Sequence, residues 1–449
     1  MTLFGTNGVR GIANVDITPE LAMNLGKSMG TYIHLHKTGT RVAVGRDTRI
    51  SGDMLKSAAI SGLLSTGLEV VDVGILPIPN LQYYIRDNAD AGVMITASHN
   101  PKEYNGLKIV AGDGTEFSRE GEAEVEKILI SGNFHTAKWN ETGGFSNDPT
   151  AIPAYIKGIL SKVDHELIRS ASLTVVLDPG CGAGCVVTPW LLSELGCKVI
   201  TLNAQPDGTF PGRTPEPTRE VLTDLINMVK ASGADLGVAH DGDADRVAFV
   251  DETAEFLDEE DLLALMTAHV LDHKSGKVVT PVGSSLKIKD ITEAKGSELI
   301  WTRVGSIDVA RKMIETGAVF GGEGNGGLIF PEFQFCRDGA MTAVKMLELL
   351  AGGNKLSELK KNIPEYHNLK VKIKITNSSE VMKKVGKALE GQDLDNTDGI
   401  KIWYPDGWIL IRPSGTEPLV RIFAESKSAN RARELLDFGS GLVTDCNTN

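Results

Sequence analysis

The sequence predicts an α/β protein built from three related α/β domains with mixed, mostly parallel sheets, followed by a smaller α+β domain. Two observations carry this prediction. The chain has 449 residues, and one hydrophobic core rarely serves so long a chain, so roughly three or four domains are expected. In addition, one strand–helix–strand pattern recurs three times, and a different pattern of strands and helices follows it.

The repeated unit is an apolar, β-branched run, a glycine turn, a helix-like segment closed by glycine, and a second apolar run. It occupies residues 41–74, 173–203 and 277–305. Two apolar runs on either side of a helical segment indicate parallel strands joined by a crossover helix. Glycine after the helical segment fits a left-handed helix cap. We therefore expect three α/β domains, at 1–148, 149–252 and 253–366.

The region 367–449 follows a different pattern. Its segment KIWYPDGWILIRPSGTEPLVRIFAE predicts a strand, a Pro-Asp-Gly turn, a strand, a loop and a strand. The helix-like segment SEVMKKVGKALEG precedes it, and SANRARELLDF follows it. This region is expected to form the small α+β domain.

Composition excludes several classes of protein. Lys and Arg number 46 against 59 Asp and Glu, a net charge of -13, which argues against nucleic-acid and anionic-membrane partners. Five cysteines are an odd count in a long chain, so a disulfide scaffold is not expected. Cys181 and Cys185 lack the second pair or the histidine cluster that a metal site would need. No leader-like or membrane-spanning run is present, so a cytoplasmic location is expected.

A first polar loop, TASHNP, follows the apolar run AGVMI and contains Ser98 and His99. Ligands bind where strands of α/β sheets end, and Lys108 brings an ammonium group near the same loop. Taken alone, the segment is also typical of a turn that caps a helix.

A second polar loop, HDGDADR, lies between the apolar runs ADLGVA and VAFVD. The carboxylates of Asp241, Asp243 and Asp245 repel each other unless a cation joins them. Oxygen ligands favour magnesium or calcium. An EF-hand is excluded because Arg246 stands where that loop requires glycine and because strands flank the loop. A solvated acidic turn is the alternative.

Three further segments carry candidate binding residues. The loop GGEGNGG offers Glu323 and Asn325 for sugar hydroxyls, although a glycine-rich turn without function would look the same. The segment RPSGTEP, with Arg412 and the nearby Arg421, has the composition of a phosphate cradle. It lacks the lysine and the helix of an ATP-binding P-loop. Arg10, in FGTNGVRG, could reach a phosphate or lie in solvent.

The motifs FGTNGVRG, GRDTR, TASHNP, DGDADR, GEGNGG and RPSGTEP occur one after another. In this order they resemble the α-D-phosphohexomutase family over essentially the whole chain. The family comprises phosphoglucomutases, phosphomannomutases and phosphoglucosamine mutases. The resemblance implies a heart-shaped protein of four domains around a central cleft. It also implies an isomerase that moves phosphate between the 1 and 6 positions of a hexose, through a phosphoserine and a bisphosphorylated intermediate.

The resemblance implies roles for individual residues. Ser98 matches the phosphoserine and, with the three aspartates, would bind one Mg²⁺ per active site. Arg10, His99 and Lys108 would line the reaction centre, and which of them is the general base stays open. The residues expected to bind substrate are Arg246, Arg303, Glu323, Asn325, Arg412, Ser414, Gly415, Thr416 and Arg421.

Two details resemble phosphoglucosamine mutases, namely RPSGTEPLVRI and the Thr302–Gly305 segment TRVG. Glucosamine 6-phosphate is therefore the expected substrate, with a hexose 1,6-bisphosphate as activator. The sugar loop departs from the bacterial pattern Glu-x-Ser-Gly-His, since Asn325 replaces Ser and Gly327 replaces His, which resembles archaeal members. Mannose or glucose phosphates are thus alternative substrates.

Two other classes of function stay open at this point. A serine-based phosphatase would share the phosphoserine but would release inorganic phosphate, and the chain lacks the histidine-rich cluster of two-metal phosphatases. A non-catalytic sugar-phosphate sensor would not need Ser98 together with three aspartates. The fourth domain is expected to swing on a linker near residue 367 to close the cleft. The oligomeric state, a homodimer included, is left open.

Overall fold

Two units contain the helices and strands of the computed structural model, which describes residues 3–5, 7–375, 377–414 and 419–448. The first unit consists of Met1–Glu259 and Asn325–Lys361, and the second of Glu260–Gly324 and Asn362–Asn449. Among the helices described, none is both long and apolar enough to cross a bilayer.

The first sheet of the first unit has six strands in the order β1-β5-β4-β2-β3-β6. Its strands are β1 (Val9–Ile12), β2 (Arg41–Arg46), β3 (Glu69–Ile75), β4 (Ala91–Ile95), β5 (Tyr104–Ala111) and β6 (Phe145–Asn147). Its helices are α1 (Pro19–His36), α2 (Gly52–Ser65), α3 (Ile78–Asn88) and α4 (Arg119–Ser131). Strand β2 pairs in parallel with β3 and β4, whereas β5 runs antiparallel to β1 and β4.

This sheet is buried on both faces, because its strands alternate side chains between two apolar clusters. Val42 and Val44 of β2 pack in the cluster that also contains buried residues of α1, α2 and α4. Ala43, between them, packs in the opposite cluster with residues of α3. The rigid layer that results fixes the ends of β2 and β4, where polar loops begin.

The second sheet of this unit has the order β10-β9-β7-β8. Its strands are β7 (Thr174–Asp178), β8 (Lys198–Thr201), β9 (Leu236–His240) and β10 (Val247–Asp251). The neighbouring helices are α5 (Ala151–Leu160), α6 (His165–Ala171), α7 (Thr188–Glu194) and α8 (Thr223–Ser232). Strand β7 is parallel to β8 and β9, and β10 is antiparallel to β9, so the loop between β9 and β10 is a tight connection.

The second unit begins with three parallel strands in the order β12-β11-β13. Its elements are α9 (Glu259–His273), β11 (Lys277–Pro281), α10 (Leu286–Ala294), β12 (Glu298–Thr302), α11 (Ser306–Thr316) and β13 (Phe320–Glu323). The chain then returns to the first unit with β14 (Gly327–Ile329), α12 (Gly339–Ala351) and α13 (Leu356–Leu359). All three predicted strand–helix–strand repeats are confirmed, as β2-α2-β3, β7-α7-β8 and β11-α10-β12.

The C-terminal sheet is antiparallel, in the order β15-β18-β17-β16. Its elements are β15 (His367–Lys374), α14 (Ser378–Ala388), β16 (Ile400–Tyr404), β17 (Gly407–Pro413), β18 (Leu419–Ser426) and α15 (Ala429–Thr448). The predicted α+β pattern is confirmed. Sequence reasoning missed β15, an edge strand whose alternating lysines keep its outer side polar.

Two details differ from the sequence prediction. Glu323 is the last residue of β13 and not part of a loop. Arg412 lies inside β17 and not in the loop that follows it, whereas Arg421 lies in a strand, β18, as predicted. The predicted boundaries after 148, 252 and 366, and the heart shape, stay predictions.

Candidate active site

Ser98 lies in the loop that follows β4 and is fully buried. Its backbone is left-handed, with φ of 51°, a conformation that costs energy for a residue other than glycine. Its amide N–H donates to Thr96 Oγ1 at 2.9 Å. Such a conformation persists because the surrounding structure imposes it.

The side chain of Arg49 fixes this loop through hydrogen bonds to its carbonyl oxygens. Its guanidinium, buried with no exposed surface, donates to the carbonyl oxygen of Ser98 at 2.8 Å and to that of Asn100 at 2.7 Å. It also donates to the carbonyl oxygens of Pro101 and Tyr104, at 2.6 and 2.9 Å. Sequence reasoning missed this residue, although it stands in the GRDTR motif. Its role depends on distant carbonyl groups that the motif does not reveal.

The acidic loop between β9 and β10 approaches Ser98 closely because of one glycine. A Cβ atom at Gly242 would lie 2.5 Å from the carbonyl oxygen of Ser98. Ala244 of the same loop has φ of 56°. Any side chain at position 242 would therefore push the two loops apart.

A buried arginine also braces the acidic loop. Arg213 donates to the carbonyl oxygen of His240 at 2.7 Å and to that of Asp178 at 3.0 Å, and its Nε donates to the Asp178 carboxylate at 2.9 Å. His240 contacts Thr188 Oγ1 and the Arg246 carbonyl oxygen through its two ring nitrogens, at 3.0 and 3.1 Å. Burial lowers the pKa of His240 to about 4, so it is neutral near pH 7.

The three aspartates of this loop converge. Asp241, Asp243 and Asp245 are buried, and one carboxylate oxygen from each lies within 4.8 Å of the others. Ser98 Oγ donates to Asp241 Oδ2 at 2.8 Å. The structure thus places the hydroxyl group of Ser98 against the carboxylate cluster, as one common site would require.

Cations neutralise part of this cluster. Lys108 Nζ, from β5, lies 2.7 Å from Asp243 Oδ2 and 3.5 Å from Asp245 Oδ2. Arg337 pairs with Asp245 Oδ2. Burial raises the pKa of Asp245, but Arg337 and Lys108 outweigh it and hold that pKa below its ordinary value. Burial, with Asp243 and Asp245 nearby, raises the pKa of Asp241 well above its ordinary value.

The donor set fits a hard divalent cation. Asp243 Oδ1 and Asp245 Oδ1 are buried and have no hydrogen-bond partner among the described residues. An unpaired buried carboxylate oxygen is costly. A cation would remove this cost, and an all-oxygen set suits a hard ion such as magnesium or calcium.

Three further predicted residues lie around Ser98. Arg10 donates to Asn100 Oδ1 at 3.1 Å, so it faces the loop and is not a free surface side chain. His99 Nδ1 lies 3.4 Å from Ser98 Oγ. Arg246 is mostly buried, with Nε 3.8 Å from Asp245 Oδ1.

The remaining predicted residues belong to the second unit, except Asn325, whose side chain accepts from the Gly327 N–H at 3.1 Å. Glu323 is buried and Arg303 is exposed. Ser414 N–H donates to the Leu419 carbonyl oxygen at 2.9 Å. Gly415 and Thr416 lie outside the described residues.

Arg412 and Arg421 are directly opposite each other on β17 and β18. Arg421 is also opposite Lys372 of β15, which sequence reasoning missed because it had not predicted that strand. Asp398 neutralises part of this row through an ion pair of 2.7 Å with Arg412. Like charges on facing residues of a sheet repel, so the row favours an anionic ligand.

Models of the four domains of phosphoglucomutase/phosphomannomutase match this chain in order. The α/β/α domains I, II and III match residues 1–136, 153–254 and 258–366, and the C-terminal domain matches 368–438. These matches cover most of the chain and follow the order of the sheets described above.

Similar proteins come from archaea and bacteria. A phosphoglucomutase/phosphomannomutase of Thermococcus kodakarensis is 47% identical over 99% of this chain and 98% of its own length. A probable phosphoglucosamine mutase of Methanopyrus kandleri is 44% identical with the same coverage. A crystal structure of a phosphoglucomutase/phosphomannomutase family protein from Burkholderia thailandensis has a TM-score of 0.89 and 26% identity, and covers 99% of this chain and 97% of that one.

Sequence relatives, domain models and fold agree with the buried serine–aspartate site. The chain therefore belongs to the α-D-phosphohexomutase family of phosphosugar-isomerising enzymes.

Proposed function

We propose that this enzyme interconverts hexose 6-phosphates and hexose 1-phosphates, with Ser98 as the carrier of the transferred phosphoryl group. The observation that carries the proposal is the 2.8 Å hydrogen bond from Ser98 Oγ to Asp241. This hydrogen bond places the nucleophilic oxygen of a buried serine beside a carboxylate cluster that could hold a cation, which is where a phosphoryl group on Ser98 would need charge neutralisation.

In the proposed cycle, a sugar hydroxyl attacks the phosphorus of phosphorylated Ser98. The bond from phosphorus to Ser98 Oγ breaks while the new phosphorus–oxygen bond forms, and the proton of the attacking hydroxyl ends on Oγ. The hexose 1,6-bisphosphate turns over and returns its other phosphoryl group to Ser98. The same bisphosphate, supplied from outside, would act as activator by phosphorylating free Ser98.

We assign one Mg²⁺ per active site to Asp241, Asp243, Asp245 and an oxygen of phosphorylated Ser98. The chemistry that magnesium supplies when bound is neutralisation of charge on the phosphoryl oxygens. Lys108 pairs with Asp243 and Arg337 with Asp245, and these two cations hold the pKa of Asp245 below its ordinary value.

The candidates for proton transfer are His99, Lys108 and Arg10. Burial, with Arg246 and Arg10 nearby, lowers the pKa of His99 to about 2. His99 is therefore neutral near pH 7, so its ring nitrogen can accept a proton, although weakly. Lys108 Nζ is engaged in ion pairs with Asp243 and Asp245, at 2.7 and 3.5 Å. If Lys108→Ala lowered kcat by no more than a few-fold, Lys108 would leave this set.

We assign substrate recognition to the residues that the family resemblance implies. Arg412, Ser414, Gly415, Thr416 and Arg421 would hold the phosphate that is not being transferred. The sugar ring would be read by Glu323 and Asn325, with Arg246 and Arg303 as further contacts. Glu323 is buried at the end of β13, and a carboxyl group is a suitable acceptor for sugar hydroxyls.

Glucosamine 6-phosphate is our first choice of substrate, supported by relatives such as the Methanopyrus kandleri protein. A second candidate is glucose or mannose phosphate, because the relative at 47% identity bears the name phosphoglucomutase/phosphomannomutase. We place the enzyme in the cytoplasm, since its five cysteines are free thiols. Neither nucleic acid nor membrane is proposed as a partner, and no oligomeric state is assigned.

The test is an assay of purified enzyme with Mg²⁺ and a trace of glucose 1,6-bisphosphate. Glucosamine, mannose and glucose 6-phosphates are compared by their kcat/KM, and inorganic phosphate is measured in the same samples. We expect 1-phosphate to form at least about a hundred times faster than inorganic phosphate is released. Predominant release of inorganic phosphate would favour a phosphatase, and binding without turnover would favour a sensor.

A further inference from the structure

Arg337 is a buried cation that no motif of the sequence indicated. It lies between β14 and α12, and its side chain and that of Asp245 are 6% and 4% exposed. The two form a buried ion pair through Asp245 Oδ2. Removing one partner of such a pair leaves an uncompensated buried charge. Arg337 therefore compensates the negative charge of Asp245.

The absence of a side chain at Gly327 creates the space for Arg337. A Cβ atom at position 327 would lie 2.3 Å from Arg337 Cδ and 3.1 Å from Arg337 Cγ. These atoms belong to the stem of the side chain, which cannot move without displacing the guanidinium group. Even an alanine at 327 would therefore disturb the ion pair with Asp245.

The backbone beside Arg337 is fixed both by the cap of α12 and by the acidic loop, because the Gly339 N–H donates to the Ala244 carbonyl oxygen at 3.2 Å. Asp338 caps α12 by accepting from the Met341 N–H at 2.9 Å. The same carboxylate accepts from Tyr155 Oη at 2.6 Å and from Gln334 Nε2 at 2.8 Å. The backbone at Arg337 is thus held in place, and its side chain extends toward Asp245 from a fixed position.

The two carboxylate oxygens of Asp245 have different surroundings. Oδ2 faces Arg337 and, at 3.5 Å, Lys108 Nζ. Oδ1 is buried without a hydrogen-bond partner among the described residues, and the cation nearest to it in an ion pair is Arg246, with Nε at 3.8 Å. We propose that Arg337, admitted by Gly327, is a positioning residue that turns Asp245 so that Oδ1 is presented to the metal ion. Groups that orient metal ligands in this way typically contribute about 10- to 100-fold in affinity.

This inference rests on the proposed metal site. Arg337 has two opposing effects on the affinity of that site for a divalent cation. A guanidinium near the site also repels a divalent cation through space. If repulsion were its main effect, removing Arg337 would tighten metal binding. If Arg337 positions Asp245, removing it weakens binding, because the carboxylate can then turn toward Lys108 or Arg246.

The experiment measures Mn²⁺ binding directly, by the electron paramagnetic resonance signal of free Mn²⁺, on the full chain without substrate. The variants are Arg337→Gln, Gly327→Ala and the double variant. The matched control is Arg86→Gln, which removes a donor to the Phe333 carbonyl oxygen in the same segment but has no contact with Asp245. Thermal unfolding of every variant checks that each one folds.

We expect Arg337→Gln to raise the Kd for Mn²⁺ about tenfold or more. Gly327→Ala should also raise the Kd for Mn²⁺. The Kd of the double variant should not exceed that of Arg337→Gln, because both changes act through one contact. Arg86→Gln should bind as the wild type does.

Tighter binding by Arg337→Gln, unchanged binding with only a lower Tm, or additive effects in the double variant would each overturn the inference. A wild-type chain that binds no Mn²⁺ would instead refute the proposed metal site itself. The two failures are therefore distinguishable.

Discussion

The serine–aspartate site of the first unit and the arginine row of the second differ in how their charges are compensated. Around Ser98, each of three buried cations, Arg49, Lys108 and Arg337, already has an anionic partner. In the row, Arg412 and Arg421 face each other across two strands, and Asp398 pairs with Arg412. The first region is therefore organised for one geometry, whereas the second places like charges on facing residues, which favours an anionic ligand.

This difference fits the two tasks of a phosphosugar mutase. Phosphoryl transfer depends on fixed positions, and misplacement by about 1 Å can cost a factor of about 100. The far phosphate of the substrate, by contrast, must be held in two orientations of the sugar. Substitutions in the first region should therefore change kcat, and those in the row should change KM.

The largest effect is expected for Asp243→Asn, which removes a proposed metal ligand and the partner of buried Lys108. We expect kcat to fall at least about 100-fold, with weaker Mn²⁺ binding. Asp251→Asn is the matched control, because Asp251 is also buried, at the end of β10, and accepts from Thr253 in a turn. Equal losses in the two variants would mean that general destabilisation, not the metal site, is responsible.

Arg49→Lys should come next. Lysine keeps the charge but cannot reach four carbonyl oxygens at once, so the Ser98 loop loses its fixed position. We expect kcat to fall about 10- to 100-fold with KM changed less than about threefold. Arg41→Lys, at the other end of β2, serves as control, and steady-state kinetics would contradict the account if KM rose and kcat did not change.

Arg421→Gln should act on KM and not on kcat. Loss of one charged hydrogen-bonding partner of a phosphate costs about 1.5–3 kcal/mol, which corresponds to a KM increase of about 10- to 100-fold. Lys372→Gln, in the same row but on an exposed edge, should raise KM far less. The phosphate content of Ser98 should be the same in both variants, and a loss of that phosphate in Arg421→Gln would break the division between the regions.

The smallest effect concerns stability and pH. Burial raises the pKa of Glu122 on α4 to about 7, although Arg119 lies 3.2 Å away. A raised carboxyl pKa means that the folded state holds the proton more tightly than the unfolded chain does. The contribution of Glu122 to the stability of the folded state therefore decreases as the pH rises from about 4.5 to 7. The Tm of the wild type relative to Glu122→Gln should therefore be lower at pH 8 than at pH 5. A difference independent of pH would contradict this assignment.

Sequence patterns were sufficient for the repeated α/β units, because apolar periodicity and glycine caps are local. They also indicated Ser98 and the three aspartates, whose spacing departs from ordinary turns. Arg49, Arg213 and Arg337 could not be predicted in the same way. Each acts on backbone or carboxylate oxygens far away in sequence, and nothing in the residues around them indicates which loop they will reach.

The strand β15 was missed for a related reason. Its segment HNLKVKIK alternates apolar residues with lysines, a pattern that an edge strand shares with an exposed linker. Only its pairing with β18 distinguishes the two. That pairing also places Lys372 beside Arg421, a neighbour that the motif RPSGTEP could not indicate.

The central claim is that Ser98 carries the phosphoryl group, and mass spectrometry tests it most directly. The wild type and Ser98→Ala are each incubated with Mg²⁺ and glucose 1,6-bisphosphate, and intact mass and phosphopeptides are recorded. The account predicts one added phosphoryl group on Ser98 of the wild type and none on the variant, which should be inactive. Phosphate on another residue, or full turnover by Ser98→Ala, would contradict it.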